Sequence, residues 1–221
     1  MGTVGFIARL RKDFEYRAYI GSTVSFFASL AFMGYNIFLG AVYGTVWNIG
    51  VASYYLLLVA VRAFVGVEEI KFKKQGLCAE SKEEKRKNVF LVQCVLLFLL
   101  DLALVGPITI MVLQQKAVDY SVIPAITVAA YTVFKIVTSS VSYVKTRKTA
   151  NLGVRAFKNL NFLDALVSVL SLQYTLLMTF GDGITGDMFT LCAVTSFAVW
   201  TLLVAVSVTN LIKAIKIKRA G

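Results

Sequence analysis

Six apolar stretches, interrupted by turns or by runs of charge, occupy most of the chain, at about 18–42, 45–67, 89–114, 121–144, 161–181 and 188–212. Each is long enough for a helix to cross a hydrocarbon core about 30 Å thick, which takes about 20 apolar residues. The pattern predicts an all-α polytopic membrane bundle with six transmembrane helices arranged as three hairpins. Spans and connections together use nearly all of the 221 residues, so 1–221 reads as a single integral membrane domain with no separate soluble part.

The connections alternate in character. Those after the first, third and fifth stretches are short and nearly free of basic residues, whereas 68–88 and 145–160 are basic, as are both ends. Lys and Arg number four before the first stretch, seven in 68–88, five in 145–158 and four at the C-terminal end, against Lys116 alone on the opposite side. By the positive-inside rule both termini and both long loops are cytoplasmic. Residues 3–16 place Ile7, Leu10 and Phe14 on one face, a pattern suited to lying on an anionic inner leaflet. The first apolar stretch exceeds a signal-peptide core and lacks a small-residue cleavage site, so it reads as a retained anchor.

Composition agrees with this reading. The chain is 58% hydrophobic and 16% charged, with a mean hydropathy of +0.75, where soluble domains run near 45–50% and about 25%. The net charge of +11 is explained by topology rather than by a nucleic-acid surface. Histidine is absent, and Cys78, Cys94 and Cys192 show no metal-ligand or redox spacing. No metal site, cofactor or disulfide framework is expected. Neither a Gly-x-Ser-x-Gly turn, a phosphate loop nor a zinc-protease motif occurs, and the chain is not expected to be an enzyme. Basic residues do not recur every third position through a span, which excludes a voltage sensor.

Chemistry is concentrated in the polar groups that fall within the apolar stretches. Asp101 lies 12 residues beyond Val89 and Lys135 lies 10 before Lys145, at depths of about 18 and about 15 Å along their helices. Ionisable groups at such depth face the bundle interior and have partners, so Asp101 and Lys135, on consecutive antiparallel helices, are expected to pair. Thr127, Tyr131, Lys135, Thr138 and Ser142 share one helical face. Comparable stripes are Asp164, Ser168, Ser171 and Thr175; Ser22, Ser25, Ser29 and Asn36; Asn48, Tyr55 and Arg62; and Ser196, Trp200, Ser207 and Asn210. Such stripes either glue helices together or line a polar cavity. Asp164 reads as an acidic residue in the first turn of a helix capped by Asn161, and Arg62 as a side chain reaching out to the inner interface. Gly106-Pro107 should bend the third helix.

Two functions fit these features. The first is a small transporter-like or permease-like protein whose intramembrane site, formed by Asp101 and Lys135 with Tyr131, Thr138 and Gln173, binds a small polar solute or an ion. The second is an accessory or regulatory membrane subunit working by contact with a partner protein through the charged 68–88 segment or lipid-facing helices; a homo-oligomer is compatible with either. The segments Ala130-Tyr131-Thr132-Val133-Phe134-Lys135 and Phe162-Leu163-Asp164-Ala165-Leu166-Val167-Ser168-Val169-Leu170-Ser171-Leu172-Gln173, with Tyr35-Asn36, resemble stretches of a group of uncharacterised six-helix membrane proteins of Gram-positive bacteria. The resemblance implies a bacterial cytoplasmic membrane and carries no substrate with it.

Overall fold

The computed structural model describes residues 14–74, 79–114, 122–146, 152–180 and 186–219. Among these residues every element is helical: α1 Phe14–Tyr43, α2 Val46–Lys74, α3 Ala79–Ala103, α4 Val105–Gln114, α5 Val122–Thr146, α6 Leu152–Phe180 and α7 Gly186–Arg219. Five helical stretches are long and apolar enough to cross a membrane: Ile20–Tyr43, Val46–Phe72, Glu83–Ile110, Leu152–Phe180 and Thr190–Arg219. In α5 the apolar part is shorter, Ala125–Val141. The expected surface helix at 3–16 lies mostly outside the described residues.

Local sequence explains the breaks. At Gly44 the chain leaves α1 with φ +63°, a left-handed turn that a glycine after a helix C-terminus adopts without steric cost. Thr45 opens α2, its hydroxyl accepting from Asn48 Nδ2 at 2.7 Å. The bend expected at Gly106-Pro107 is present as an interruption at Leu104 between α3 and α4. Pro107 has no N–H to offer the carbonyl four residues back, which releases that of Ala103. Helical bonding resumes at once, from Ile108 N to Leu104 O at 3.2 Å.

The proline ring also sets how closely α4 approaches α2. A Cβ added at Gly50 would lie 2.7 Å from Pro107 Cγ and 2.8 Å from Pro107 Cβ. Gly50→Ala is therefore expected to cost about 1–3 kcal/mol through overpacking. Pro107→Ala in the same chain should return most of that loss, since it removes the colliding ring. Thermal denaturation of the two single variants and the double variant checks this, and equal losses in Gly50→Ala with and without the proline would refute it.

The bundle is organised around α6, which packs against α1, α2, α3, α5 and α7 and buries residues along its whole length, from Leu152 to Met178. Around it, α1 packs on α2, α2 on α3 and α4, and α3 on α7, while the α5 backbone approaches α6 alone. This corrects the simple three-hairpin arrangement. The third and fourth apolar stretches, although consecutive, are not packed on each other among the described residues; each instead lies against α6. Connection length constrains which helices can be neighbours, but it does not override the burial of α6, which is covered along its whole length.

Three helices also extend further than hydropathy suggests. α2 continues to Lys74 and α3 starts at Ala79, so most of the mixed-charge segment 68–88 is helical extension. α6 begins at Leu152 rather than at 161, because its polar first turns are buried in protein. There Glu69 is buried, and a Cβ on Gly153 would collide with its carboxylate. Glycine thus lets a carboxylate sit against the positive end of the α6 dipole, and Arg86 Nη2 completes the contact by donating to Glu69 Oε2 at 2.9 Å.

Candidate functional site

Four of the polar stripes face inward as their spacing predicts. Asn36, Asn48, Tyr55, Arg62, Asp164, Ser168, Ser171, Thr175, Ser196, Ser207 and Asn210 are all buried. The fifth, on α5, is rotated. Its buried face is Ala125, Val128, Thr132, Lys135 and Ser139, whereas Thr127 and Thr138 are exposed. Both exposed threonines return their hydroxyls to their own helix, Thr127 Oγ1 to Ile123 O at 2.9 Å and Thr138 Oγ1 to Phe134 O at 2.8 Å. A threonine that satisfies its hydroxyl this way can face lipid.

The centre of the bundle is the Asp164 carboxylate. α6 carries it 12 residues past Leu152, about 18 Å along the helix, and its residue is 0% exposed. Lys135 Nζ from α5 donates to Oδ1 at 2.5 Å. Arg62 Nη2 from α2 donates to Oδ2 at 2.8 Å, and Ser29 Oγ from α1 donates to the same oxygen at 2.7 Å. Arg62 Nη1 donates to Ser25 Oγ at 2.9 Å and to Ser29 Oγ at 3.0 Å. Four helices thus meet at one carboxylate, and two cations against one anion leave the centre with one positive charge in excess.

Aromatic rings surround the ammonium of Lys135. Its Nζ lies 4.7 Å from the ring centroid of Tyr131, 5.2 Å from that of Tyr55 and 6.0 Å from that of Phe32. It also donates to Tyr131 Oη at 2.7 Å. Tyr131 stacks on Phe32 with centroids 4.7 Å apart, a side-chain bridge between α5 and α1 whose backbones do not pack. Tyr55 Oη and Ser168 Oγ share a hydrogen bond at 3.0 Å.

Asp101 belongs to a second, separate buried group. It accepts from Tyr54 Oη at 3.1 Å and from Ser207 Oγ, and its backbone carbonyl accepts from Trp200 Nε1 at 2.8 Å. Among the described residues no salt bridge reaches it. The expected Asp101–Lys135 pair is therefore not formed; α6 stands between α3 and α5 and supplies Asp164 to the lysine instead. Tyr54 and Tyr55, adjacent on α2 with rings 5.9 Å apart, divide between the two groups: Tyr54 Oη donates to the Asp101 carboxylate, whereas Tyr55 Oη bonds to Ser168 Oγ and donates to the backbone carbonyl of Asp164 at 3.4 Å.

Of the five residues expected to form one site, the structure brings only Lys135 and Tyr131 together. Thr138 lies on the exposed face, and Gln173 lies nine residues beyond Asp164, about 13 Å along α6. Gln173 Oε1 is buried without a hydrogen-bond partner. Arg62 and Asp164 are the residues that sequence reasoning assigned elsewhere. Arg62 is only 2% exposed and does not reach out to the interface, and Asp164 is in mid-helix, not in a first turn. Their positions on inward-facing stripes were the signal that could have identified them.

Among the described residues no group of histidine, cysteine and carboxylate side chains is placed to hold a metal ion. The length and apolarity of the helices make this a multi-pass, all-α chain of the membrane type. No family model, curated protein or solved structure matches it.

Proposed function

We propose that the chain is a small transporter-like or permease-like protein of a bacterial cytoplasmic membrane, with six spans, both termini inside, and its polar-solute or ion site at the Asp164 centre. The observation that carries this reading is a carboxylate gripped by two cations at mid-depth in the bundle. An ionisable residue there costs about 2.5–3.5 kcal/mol on insertion scales. Well-packed apolar residues would hold helices together as well or better, so three such groups at one point favour a role beyond packing. The sixth span is α5, whose 25 residues reach about 37 Å.

A second reading, an accessory subunit working by contact with a membrane partner or a second copy, is favoured by α5. That helix rests on α6 alone and exposes Ile123, Ile126, Val133, Phe134 and Val137.

Thermal denaturation of the wild type and of Lys135→Met with a panel of ions, amino acids, nucleosides and vitamins separates the two. A transported solute should raise the wild-type Tm, equivalent to about 2.7 kcal/mol at a hundredfold excess over Kd, and leave Lys135→Met unmoved. Saturable uptake into vesicles that survives Lys135→Met would remove the lysine from the site. A panel without effect, together with a partner recovered by mild crosslinking through α5, would replace transport with the accessory role.

A further inference from the structure

A cleft of about 500 Å³ opens between α1 and α2, with Arg62 of the charge centre in its lining. Its size falls within the roughly 300–1,000 Å³ of small-ligand sites. The walls are apolar, formed chiefly by Phe26, Phe27, Val67 and Ile70. Phe27, Val67 and Ile70 are exposed, so in a bilayer the cleft is open to the acyl chains. Ser22 and Arg62 supply polar lining, and Glu69 also borders it, its charge compensated by Arg86 at 2.9 Å.

Arg62 gives the cleft its chemistry. Its side chain is 1% exposed and both terminal nitrogens are engaged, but Nε is buried without a hydrogen-bond partner. A buried guanidinium donor left unmade is costly, and the centre it belongs to carries one positive charge in excess. An anionic group entering the cleft would answer both. A water-soluble anion would have to cross apolar walls to reach it, whereas a single-chain amphiphile enters sideways from the membrane with its tail against those same walls.

We propose that the α1–α2 cleft binds a single-chain anionic amphiphile from the surrounding bilayer, with its carboxylate against Arg62 and its chain along Phe26, Phe27, Val67 and Ile70. The proposal goes beyond transport and stands whether or not the charge centre moves a solute.

The test uses the full chain in nanodiscs of zwitterionic phosphatidylcholine and a palmitate carrying a diazirine in mid-chain. Saturable photolabelling is expected, mapping to 22–27 and 63–70. Unlabelled palmitate should compete about tenfold better than hexadecanol, which lacks the charge, and inorganic phosphate should not compete. Gly66→Leu fills the cleft, because Gly66 lines it and a Cβ there meets nothing within 4 Å. It should reduce labelling about tenfold with Tm unchanged. Ala63→Leu, at a second lining position, serves as the cleft-filling variant if Gly66→Leu fails to fold. Labelling that is non-saturable, spread over all exposed helix faces, or unchanged in the filled cleft overturns the proposal. Equal competition by hexadecanol removes anion recognition, and competition by phosphate alone replaces the amphiphile with a soluble anion; either result also overturns it.

Discussion

Asp164→Asn should lower the stability of the purified protein by about 3–5 kcal/mol, because breaking a buried ion pair leaves its partner charges uncompensated. Here the loss falls on two cations at once, Arg62 at 2.8 Å and Lys135 at 2.5 Å, in a place from which neither can turn to water. The amide can still accept at its one oxygen, but it presents an N–H₂ group where the other cation expects an oxygen. Asp101→Asn is the matched control. Its partners are the hydroxyls of Tyr54 and Ser207, which can reorient to donate or accept, so the expected loss is about 1 kcal/mol. Reversible unfolding of both variants in mild detergent measures the difference. Equal losses would mean that the charges at Asp164 are not mutually compensating, and would remove the energetic argument for the centre.

The contrast between these two carboxylates shows what the sequence conveyed and what it did not. Five long apolar stretches and the inward faces of four helices were readable, because burial of small and polar residues at helical spacing leaves a periodic trace. The break near Pro107 was readable for a local covalent reason, the missing N–H. Partner choice was not. Asp101 and Lys135 were matched by depth and by adjacency in the chain, but depth alone fits Asp164 as well, since it lies 12 residues into α6, much as Arg62 lies 12 before the end of α2. What hid Asp164 was the neighbourhood of Arg155, Lys158 and Asn161, which read as a loop and a cap. Those residues belong to the first turns of the central helix, where Lys158 and Asn161 are buried, and hydropathy cannot distinguish a polar turn covered by protein from one bathed in water. Thr138 was misplaced for a related reason. A stripe of hydroxyls on α5 looks amphipathic, yet threonines bonded to their own backbone carbonyls are compatible with lipid, and the inner face is set one position away by Thr132 and Ser139.

Coupling energies test the partner assignment directly. In a double-mutant cycle, Lys135→Met and Asp164→Asn should each be strongly destabilising, while the double variant recovers about 2–3 kcal/mol of the summed losses. Removing the ammonium takes away one of the two charges that Asp164→Asn would strand. The recovery should remain incomplete, because Arg62 still faces the amide at the position of Oδ2. The parallel cycle of Lys135→Met with Asp101→Asn should be additive to within about 0.5 kcal/mol, since Asp101 is held by Tyr54 and Ser207 rather than by the lysine. A coupling of similar size in the second cycle would restore the pair that sequence adjacency suggested, and would require α3 and α5 to meet in the membrane. Coupling confined to the first cycle would identify α5 as a helix fastened to the bundle through a charge in α6. In that arrangement any solute or ion that competes for Asp164 also loosens α5, so binding at the centre and movement of the helix that packs on α6 alone become a single event.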